Sequence, residues 1–419
     1  MKYSIITFGC RVNQADSLAI EGDLRARGLE AGSPDAADLL IVNTCSVTAS
    51  ADQGARQTIR RIVRANPDVQ VVVTGCYATR RPNDTRELPN VTRVVPNGEK
   101  DSLVADLFGD VAKFGDGDGP CGSSLEPGVA GRTAFTLRVQ TGCDERCSYC
   151  IIPSTRGPGR SRPLDDVTRE IERAVAAGYK EIAITGVHLG SYGRDLPVGR
   201  AWSGSPGGPD KSRHASLESL VQLLADWPDD VLFRVSSLEP MDCTPAIVET
   251  VAASPRLAPH FHLPLQHGCD DVLAAMQRPY TADDYRTLVD RIVRLMPCAS
   301  IGTDVIVGFP GETDVQFERT RALVADLPLS HVHVFPYSDR SGTLASGMKN
   351  KVEGSIIRAR GAVLREVGAR LARQFRQAQT GTSRRALTLD DGWSAVTDNY
   401  VKVRLTEQHP RNAWTMVTL

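Results

Sequence analysis

The sequence predicts an α/β protein of several parts: a parallel-sheet α/β domain at the N-terminus, a partial (β/α)6 barrel in the middle and a small β domain at the C-terminus. Three observations carry this. Strand-like apolar runs alternate with helical periodicity in two successive series, a glycine-rich stretch poor in apolar residues separates the series, and the last 40 or so residues turn to short β-like runs. A chain of 419 residues also exceeds one ordinary core, since domains hold roughly 100–200 residues.

In the first series, strands are expected at 3–7, 38–42, 69–74 and 91–95, with helices at 17–26, 51–65 and 101–108. This β-α-β rhythm implies a parallel sheet covered by helices. Each of the first three strands runs into a cysteine, in Phe8-Gly9-Cys10, Asn43-Thr44-Cys45 and Thr74-Gly75-Cys76. The carboxyl ends of parallel strands share one edge of the sheet, so the three thiols should converge there.

The domain is read as 1–112, followed by a flexible linker over 113–132 that contains Cys121. The second series, 133–353, has strands at 135–139, 181–185, 231–236, 260–265, 302–307 and 331–335. Helices are expected at 164–177, 217–226, 245–253, 282–295 and 315–326, and function at the carboxyl ends of the strands. A Gly/Pro/Ser-rich insertion at 194–214 reads as a surface loop.

Ile356, Ala359, Val363, Val367, Leu371 and Phe375 recur at three- and four-residue steps and predict a connecting helix over 354–378. The remainder, 379–419, forms the β module, with runs at 384–389, 395–396, 401–405 and 414–419. Its core is marginal by itself, so it should pack against the barrel.

Composition narrows the function classes. Hydrophobic residues are 41% and charged residues 24% of the chain, an ordinary globular balance. No secretory leader is evident and no run approaches the roughly 18 apolar residues of a membrane span, so a cytoplasmic protein without a membrane partner is expected. Ten cysteines in a reducing compartment read as metal ligands, catalytic thiols or buried small hydrophobes rather than disulfides. The net charge of −1 excludes a polycation, but residues 355–419 hold eleven Lys and Arg against five Asp and Glu. Such a basic tail is compatible with an RNA partner.

The sharpest signal is Cys143-Asp144-Glu145-Arg146-Cys147-Ser148-Tyr149-Cys150, a CxxxCxxC directly after a strand. A four-iron cluster takes four thiolates, and three leave one iron open to chelate a cofactor. The competing reading is a zinc site, which needs a fourth Cys or His that the loop itself lacks. Cys10, Cys45 and Cys76 are too widely spaced for a local template, and by themselves they read more often as buried thiols than as a metal site. Cys243, Cys269 and Cys298 fall singly and take no role. His188, His260, His262 and His267 read equally as lining the active face or as structural, and none is assigned to a metal.

Beyond that loop the chain carries Ser236-Ser237-Leu238-Glu239-Pro240, His262-Leu263-Pro264-Leu265-Gln266, Asp304-Val305-Ile306-Val307-Gly308-Phe309-Pro310-Gly311-Glu312-Thr313 and Phe335-Pro336-Tyr337-Ser338. With Cys10, Cys45 and Cys76 ahead of CxxxCxxC, this order resembles the radical S-adenosylmethionine (radical SAM) methylthiotransferase family over nearly the full chain. The contexts Gly9-Cys10-Arg11-Val12-Asn13-Gln14 and Thr185-Gly186-Val187-His188-Leu189-Gly190-Ser191-Tyr192-Gly193 are most similar to its threonylcarbamoyladenosine branch.

The resemblance implies two 4Fe–4S clusters, one on Cys143, Cys147 and Cys150 and an auxiliary one on Cys10, Cys45 and Cys76. It implies S-adenosylmethionine beside Tyr149, Gly186, Ser236, Glu239 and Gln266. The activity it implies is radical-based placement of a methylthio group on carbon 2 of N6-threonylcarbamoyladenosine next to the anticodon in tRNA. A low-potential electron donor such as flavodoxin or ferredoxin and a sulfur source are implied as partners. The C-terminal module resembles the small RNA-binding domain called TRAM.

Arg156, Arg160 and Arg162, just past the cluster loop, and Arg384, Arg385, Lys402 and Arg404, in the tail, are candidate RNA-phosphate contacts because guanidinium matches phosphate bidentately. Their alternative is a solvated face or local ion pairs. The rival activities are methylthiolation of isopentenyladenosine in tRNA or of a ribosomal-protein aspartate. From another class, the rival is a non-catalytic iron-sulfur protein that binds RNA or senses redox state.

Overall fold

The computed structural model describes residues 1–109, 133–197 and 215–419. The linker read at 113–132, with Cys121 inside it, lies outside them, as does 198–214 of the insertion. The chain divides into two compact units.

The first unit holds a five-stranded sheet in the order β2-β1-β3-β4-β5, all parallel. Its strands are β1 (Lys2–Thr7), β2 (Glu30–Ala31), β3 (Leu39–Thr44), β4 (Gln70–Gly75) and β5 (Val91–Val95). Its helices are α1 (Arg11–Ala26), α2 (Ala49–Ala65), α3 (Cys76–Arg80), α4 (Pro82–Arg86), α5 (Leu103–Phe108) and α6 (Ile152–Arg156).

β3 is buried along its whole length because helices cover both faces. Leu39 and Ile41 join Ile20, Leu24 and Leu103 on one face, while Leu40 and Val42 join Ile59 and Ile62 on the other. This alternation fixes the register: a slip of one residue would exchange the two cores.

α1 starts at Arg11, six residues before the helix expected from apolar periodicity. Its first turns are polar and yet buried. Asn13 donates from Nδ2 to Phe8 O (2.8 Å) and Thr44 O (3.0 Å), and Asp16 is buried as well. A hydrophobic pattern cannot register a turn whose inward residues are hydrogen-bonding groups.

The second unit contains six parallel strands of an incomplete barrel: β6 (Phe135–Arg138), then, past a two-stranded ribbon of β7 (Gln140–Thr141) and β8 (Arg160–Ser161), β9 (Glu181–Thr185), β10 (Leu232–Val235), β11 (His260–His262), β12 (Ser300–Val307) and β13 (His331–Pro336). They pair as β10-β9-β6 and β11-β12-β13, and the Ser237–His262 bridge joins the two halves.

Around them lie α7 (Leu164–Ala176), α8 (Leu217–Ala225), α9 (Pro245–Ala253), α10 (Asp270–Ala275), α11 (Ala282–Leu295) and α12 (Asp314–Asp326). Capping boxes start three of them, through Ser216 and Ser219, Thr281 and Asp284, and Thr313 and Gln316. α13 (Gly354–Ala378) lies against β13, where Gly368 faces Val332.

The small antiparallel sheet that follows, ordered β16-β15-β14-β17, consists of β14 (Ser383–Thr388), β15 (Ser394–Thr397), β16 (Lys402–Arg404) and β17 (Trp414–Thr418). It docks on the barrel as its marginal core requires. Fully buried Arg234 forms a fork with Glu181 at 3.0 and 3.1 Å and reaches Asp398 O at 3.1 Å, with its guanidinium over the Tyr400 ring. Asn412 donates to Gly178 O, and Asn399 to Cys298 O. Gly178, Glu181 and Cys298 all lie at the amino-terminal ends of barrel strands.

Candidate functional site

In the first unit, two glycines set the cysteines at the strand ends. Gly9 has φ +93°, and a Cβ there would lie 2.6 Å from both Cβ and Sγ of Cys45. Gly75 has φ +97°, and its Cβ would overlap the Thr44 carbonyl. Only glycine combines that backbone conformation with that approach. Cys10 caps α1 and Cys76 opens α3, while Cys45 follows β3. Burial pushes the Cys45 thiol up to about 11, and neighbouring Cys10 and Cys76 add to the rise.

A buried ionic group flanks this triad. Asp16 Oδ2 accepts from Lys100 Nζ (2.9 Å) and Arg156 Nη2 (3.1 Å), Lys100 also donates to Asn43 Oδ1 (3.1 Å), and Arg156 contacts Asn13 Oδ1. Burial opposes the Arg156 charge, but Asp16 and then Cys76 and Cys10 outweigh it and strengthen its hold on the proton. For Lys100 burial prevails over Asp16 and lowers the pKa. Asn97 Nδ2 lies 3.5 Å from Cys76 Sγ.

Three thiols beside buried cations fit an anionic iron-sulfur cluster: the donor type is right, and the flanking charge offsets the charge of the thiolates. The thiols are also available, because every cysteine among the described residues is free of disulfide bonding.

The CxxxCxxC loop is prepared similarly. Gly142, at φ +73°, approaches so closely that a Cβ would overlap Pro158 O, and Cys143 N donates to Gly157 O at 3.0 Å. Ile152 N donates to Cys150 Sγ at 3.4 Å. In the second unit Cys147 Sγ accepts from Arg278 Nη1 at 3.1 Å, and the same guanidinium contacts Glu239 through Nη2. Burial is the largest influence on Arg278 and would lower its pKa; Glu239, then Tyr280, Tyr149 and Cys147, reverse the shift and hold the cation charged. Burial raises the Glu239 carboxyl pKa, with Arg278 opposing it. Tyr149 packs on the apolar cluster of Cys269, Val272, Met276, Phe309 and Ala345.

Gly186 follows β9, Ser236 follows β10, and Gln266 follows β11, all at carboxyl ends of barrel strands. Ser236 N donates to Ile184 O (3.0 Å) and Gln266 N to Asp304 O (2.8 Å). Gln266 adopts φ +64°, a left-handed conformation uncommon away from glycine and concentrated at functional positions.

The basic candidates separate. Arg156 is corrected: it is buried in the Asp16 pair and has no surface to offer an RNA phosphate. Arg162 pairs with Glu170 (2.8 Å), Arg384 with Asp398 (2.7 Å) and Arg385 with Asp230 (2.8 Å), the last also lying over Trp414. Arg160, Lys402 and Arg404 are exposed. Asp16, Lys100, Asn97 and Arg278 escape a reading of the sequence, since none sits in a cysteine motif; the one available signal is polar residues in the otherwise well-formed α1.

Residues 137–324 match the Radical SAM superfamily, and residues 2–96 match a family described as Uncharacterized protein family UPF0004. A barrel of this kind with CxxxCxxC after its first strand makes the chain a radical SAM enzyme.

The chain is 32% identical to the threonylcarbamoyladenosine tRNA methylthiotransferase MtaB of Aquifex aeolicus over 96% of each chain. It is 36% identical to the protein of the same name from Thermotoga maritima, over 91% of this chain and 85% of that one. A tRNA-2-methylthio-N(6)-dimethylallyladenosine synthase of Sorangium cellulosum is 37% identical over 90% and 78%. The chain belongs to the radical SAM methylthiotransferase family, whose cofactors are S-adenosylmethionine and 4Fe–4S clusters. Among solved structures, the radical S-adenosylmethionine methyltransferase TsrM of Kitasatospora setae shares the fold, with a TM-score of 0.53 and 17% identity over 80% of this chain and 72% of that one.

Proposed function

We propose that this enzyme adds a methylthio group to carbon 2 of N6-threonylcarbamoyladenosine beside the anticodon of tRNA. The observation that carries the proposal is the presence of two cysteine triads, Cys10, Cys45 and Cys76 and then Cys143, Cys147 and Cys150, in a chain that aligns over 96% of its length with a relative named for this reaction.

In this reading Cys143, Cys147 and Cys150 hold one 4Fe–4S cluster and Cys10, Cys45 and Cys76 the other. When bound, the first supplies the electron that cleaves S-adenosylmethionine, and the second presents the sulfur to be transferred. Cleavage at this site answers the need to replace an unreactive aromatic C–H. The protein's own groups bind and orient. Tyr149, Gly186, Ser236, Glu239 and Gln266 surround S-adenosylmethionine, and Arg278 fixes both the Cys147 sulfur and the Glu239 carboxylate. Arg160, Lys402 and Arg404 meet RNA phosphates, and the anticodon loop presents an already unstacked base.

Domain limits of 1–112, 133–353, 354–378 and 379–419, with a linker over 113–132, complete this reading. So do a low-potential flavodoxin- or ferredoxin-like donor, a sulfur source and a cytoplasmic location. Among the described residues no helix is long and apolar enough to cross a membrane.

Nucleoside mass spectrometry of tRNA from a deletion strain tests the substrate. Loss of the methylthio form of threonylcarbamoyladenosine, restored by the wild-type chain and not by Cys147→Ala, is expected. The Sorangium relative favours one second reading, isopentenyladenosine. Selective loss of its methylthio derivative would replace the first assignment.

A further inference from the structure

Three histidines face one another on the inward side of the barrel, on strands that carry none of the cysteine motifs. His262 on β11, Gly302 on β12 and His331 on β13 occupy one row across three parallel strands, and Asp304 and His333 occupy the next. Gly302 is the reason the row closes. It puts no side chain between the two imidazoles, and a Cβ there would overlap the His331 ring. Across that gap the rings of His262 and His331 stack at 5.8 Å, and His333 approaches them at 5.6 and 5.2 Å.

One nitrogen from each of His262, His331 and His333 lies within 4.8 Å of the others. Neighbouring groups orient the rings. His262 Nε2 is 3.0 Å from Asp304 Oδ1, so the carboxylate both orients that imidazole and brings negative charge to the group. His331 Nδ1 is 3.0 Å from Ser330 Oγ, which donates its own proton to Ile301 O.

The opposite face of β12 is fully buried through Ile301, Thr303 and Val305, whereas His262, His331 and Asp304 are half-buried and His333 is exposed. The cluster thus opens into the barrel, one row before Gln266, whose N–H is held by Asp304 O.

We propose that His262, His331 and His333, with Asp304 behind His262, form a binding site for a divalent transition-metal ion of zinc type. Imidazole nitrogens suit that class, and three of them leave a fourth position open toward the barrel interior. None of these residues belongs to either cysteine triad, so the ligand set is distinct from that of the clusters.

The test uses the full chain with both clusters reconstituted anaerobically, so that the cysteines are occupied, and zinc as the probe. After equilibration with buffered zinc and desalting, one zinc per chain is expected by elemental analysis. Its X-ray absorption should show nitrogen or oxygen at about 2.0–2.1 Å and no sulfur. His333→Gln and the His331→Ala/His333→Ala pair should lose this zinc with iron and sulfide contents unchanged, and His260→Ala should retain it. Zinc with sulfur neighbours, zinc retained equally by the double variant, or no retained zinc would overturn the site. So would a loss of tRNA affinity in the double variant at unchanged zinc content, which would make the imidazoles a stacking platform for a nucleobase.

Discussion

Arg278 Nη1 donates to Cys147 Sγ at 3.1 Å while the same guanidinium grips Glu239. A charged donor on a cluster sulfur favours the reduced, more anionic state, and the buried position of Arg278 makes the interaction strong. Arg278→Met is expected to lower the reduction potential of the cluster proposed on Cys143, Cys147 and Cys150. Hydrogen bonds to charged groups contribute about 1.5–3 kcal/mol, which for a one-electron couple predicts a shift of at most about 65–130 mV. Spectroelectrochemical titration measures it, with Arg278→Lys recovering part of the shift.

Replacing Cys10, Cys45 and Cys76 together by alanine should halve the iron of the anaerobically reconstituted protein, from about eight to about four per chain. S-adenosylmethionine should still be cleaved to 5′-deoxyadenosine, while methylthiolation of tRNA stops. Iron and sulfide counting checks the first statement and chromatography of the products the second.

Arg156→Ala removes one partner of a buried ion pair and leaves Asp16 with Lys100 alone. Such losses cost about 3–5 kcal/mol, so the variant should unfold at lower urea. Arg160→Ala and Lys402→Ala should leave the urea midpoint in place and weaken tRNA binding, each reducing the magnitude of the salt slope by about one. Urea titration and salt-dependent binding separate the two kinds of arginine.

The raised Cys45 thiol makes the cluster-free chain sensitive to alkali. Its folded pKa of about 11 lies above the reference of 9.0, so the folded state retains a proton that the unfolded state has released. The stabilisation is complete below about pH 9 and is lost progressively as the pH rises through 11. It amounts to about 2–3 kcal/mol. Cys243, pushed up to about 12 by burial, acts in the same direction, so the decisive comparison is between Cys45→Ala and wild type in urea at pH 8.5 and 10.5. Cluster loading should follow the opposite trend and improve as the thiols ionise.

Elements with long periodic patterns were legible from residues alone. α9 (Pro245–Ala253) and α11 (Ala282–Leu295) have the expected limits, and β9 (Glu181–Thr185) matches residue for residue. α3, α4, α6 and α10 are only five or six residues long, less than two turns, and give no period to detect. The strand-end placement of Cys10, Cys45 and Cys76 was legible because each follows an apolar strand-like run. Arg278 and Asp16 were not, because their roles come from tertiary pairing with groups 131 and 140 residues away. Arg156 misled for the same reason: a basic residue in a loop reads as a surface charge until its distant partner is known.

The small C-terminal sheet is fastened to the barrel through Arg234, Glu181 and Asp398, at the rim where the strands begin, whereas Gly186, Ser236 and Gln266 lie where they end. β12, with eight residues, shows the strand length between the rims, about 23 Å at the usual rise per residue. A nucleic acid gripped by Lys402 and Arg404 with its target base at the far rim must bridge that length. A free nucleoside or a dinucleotide is too short to do so, and the architecture thereby favours a folded stem-loop over fragments that carry the same base.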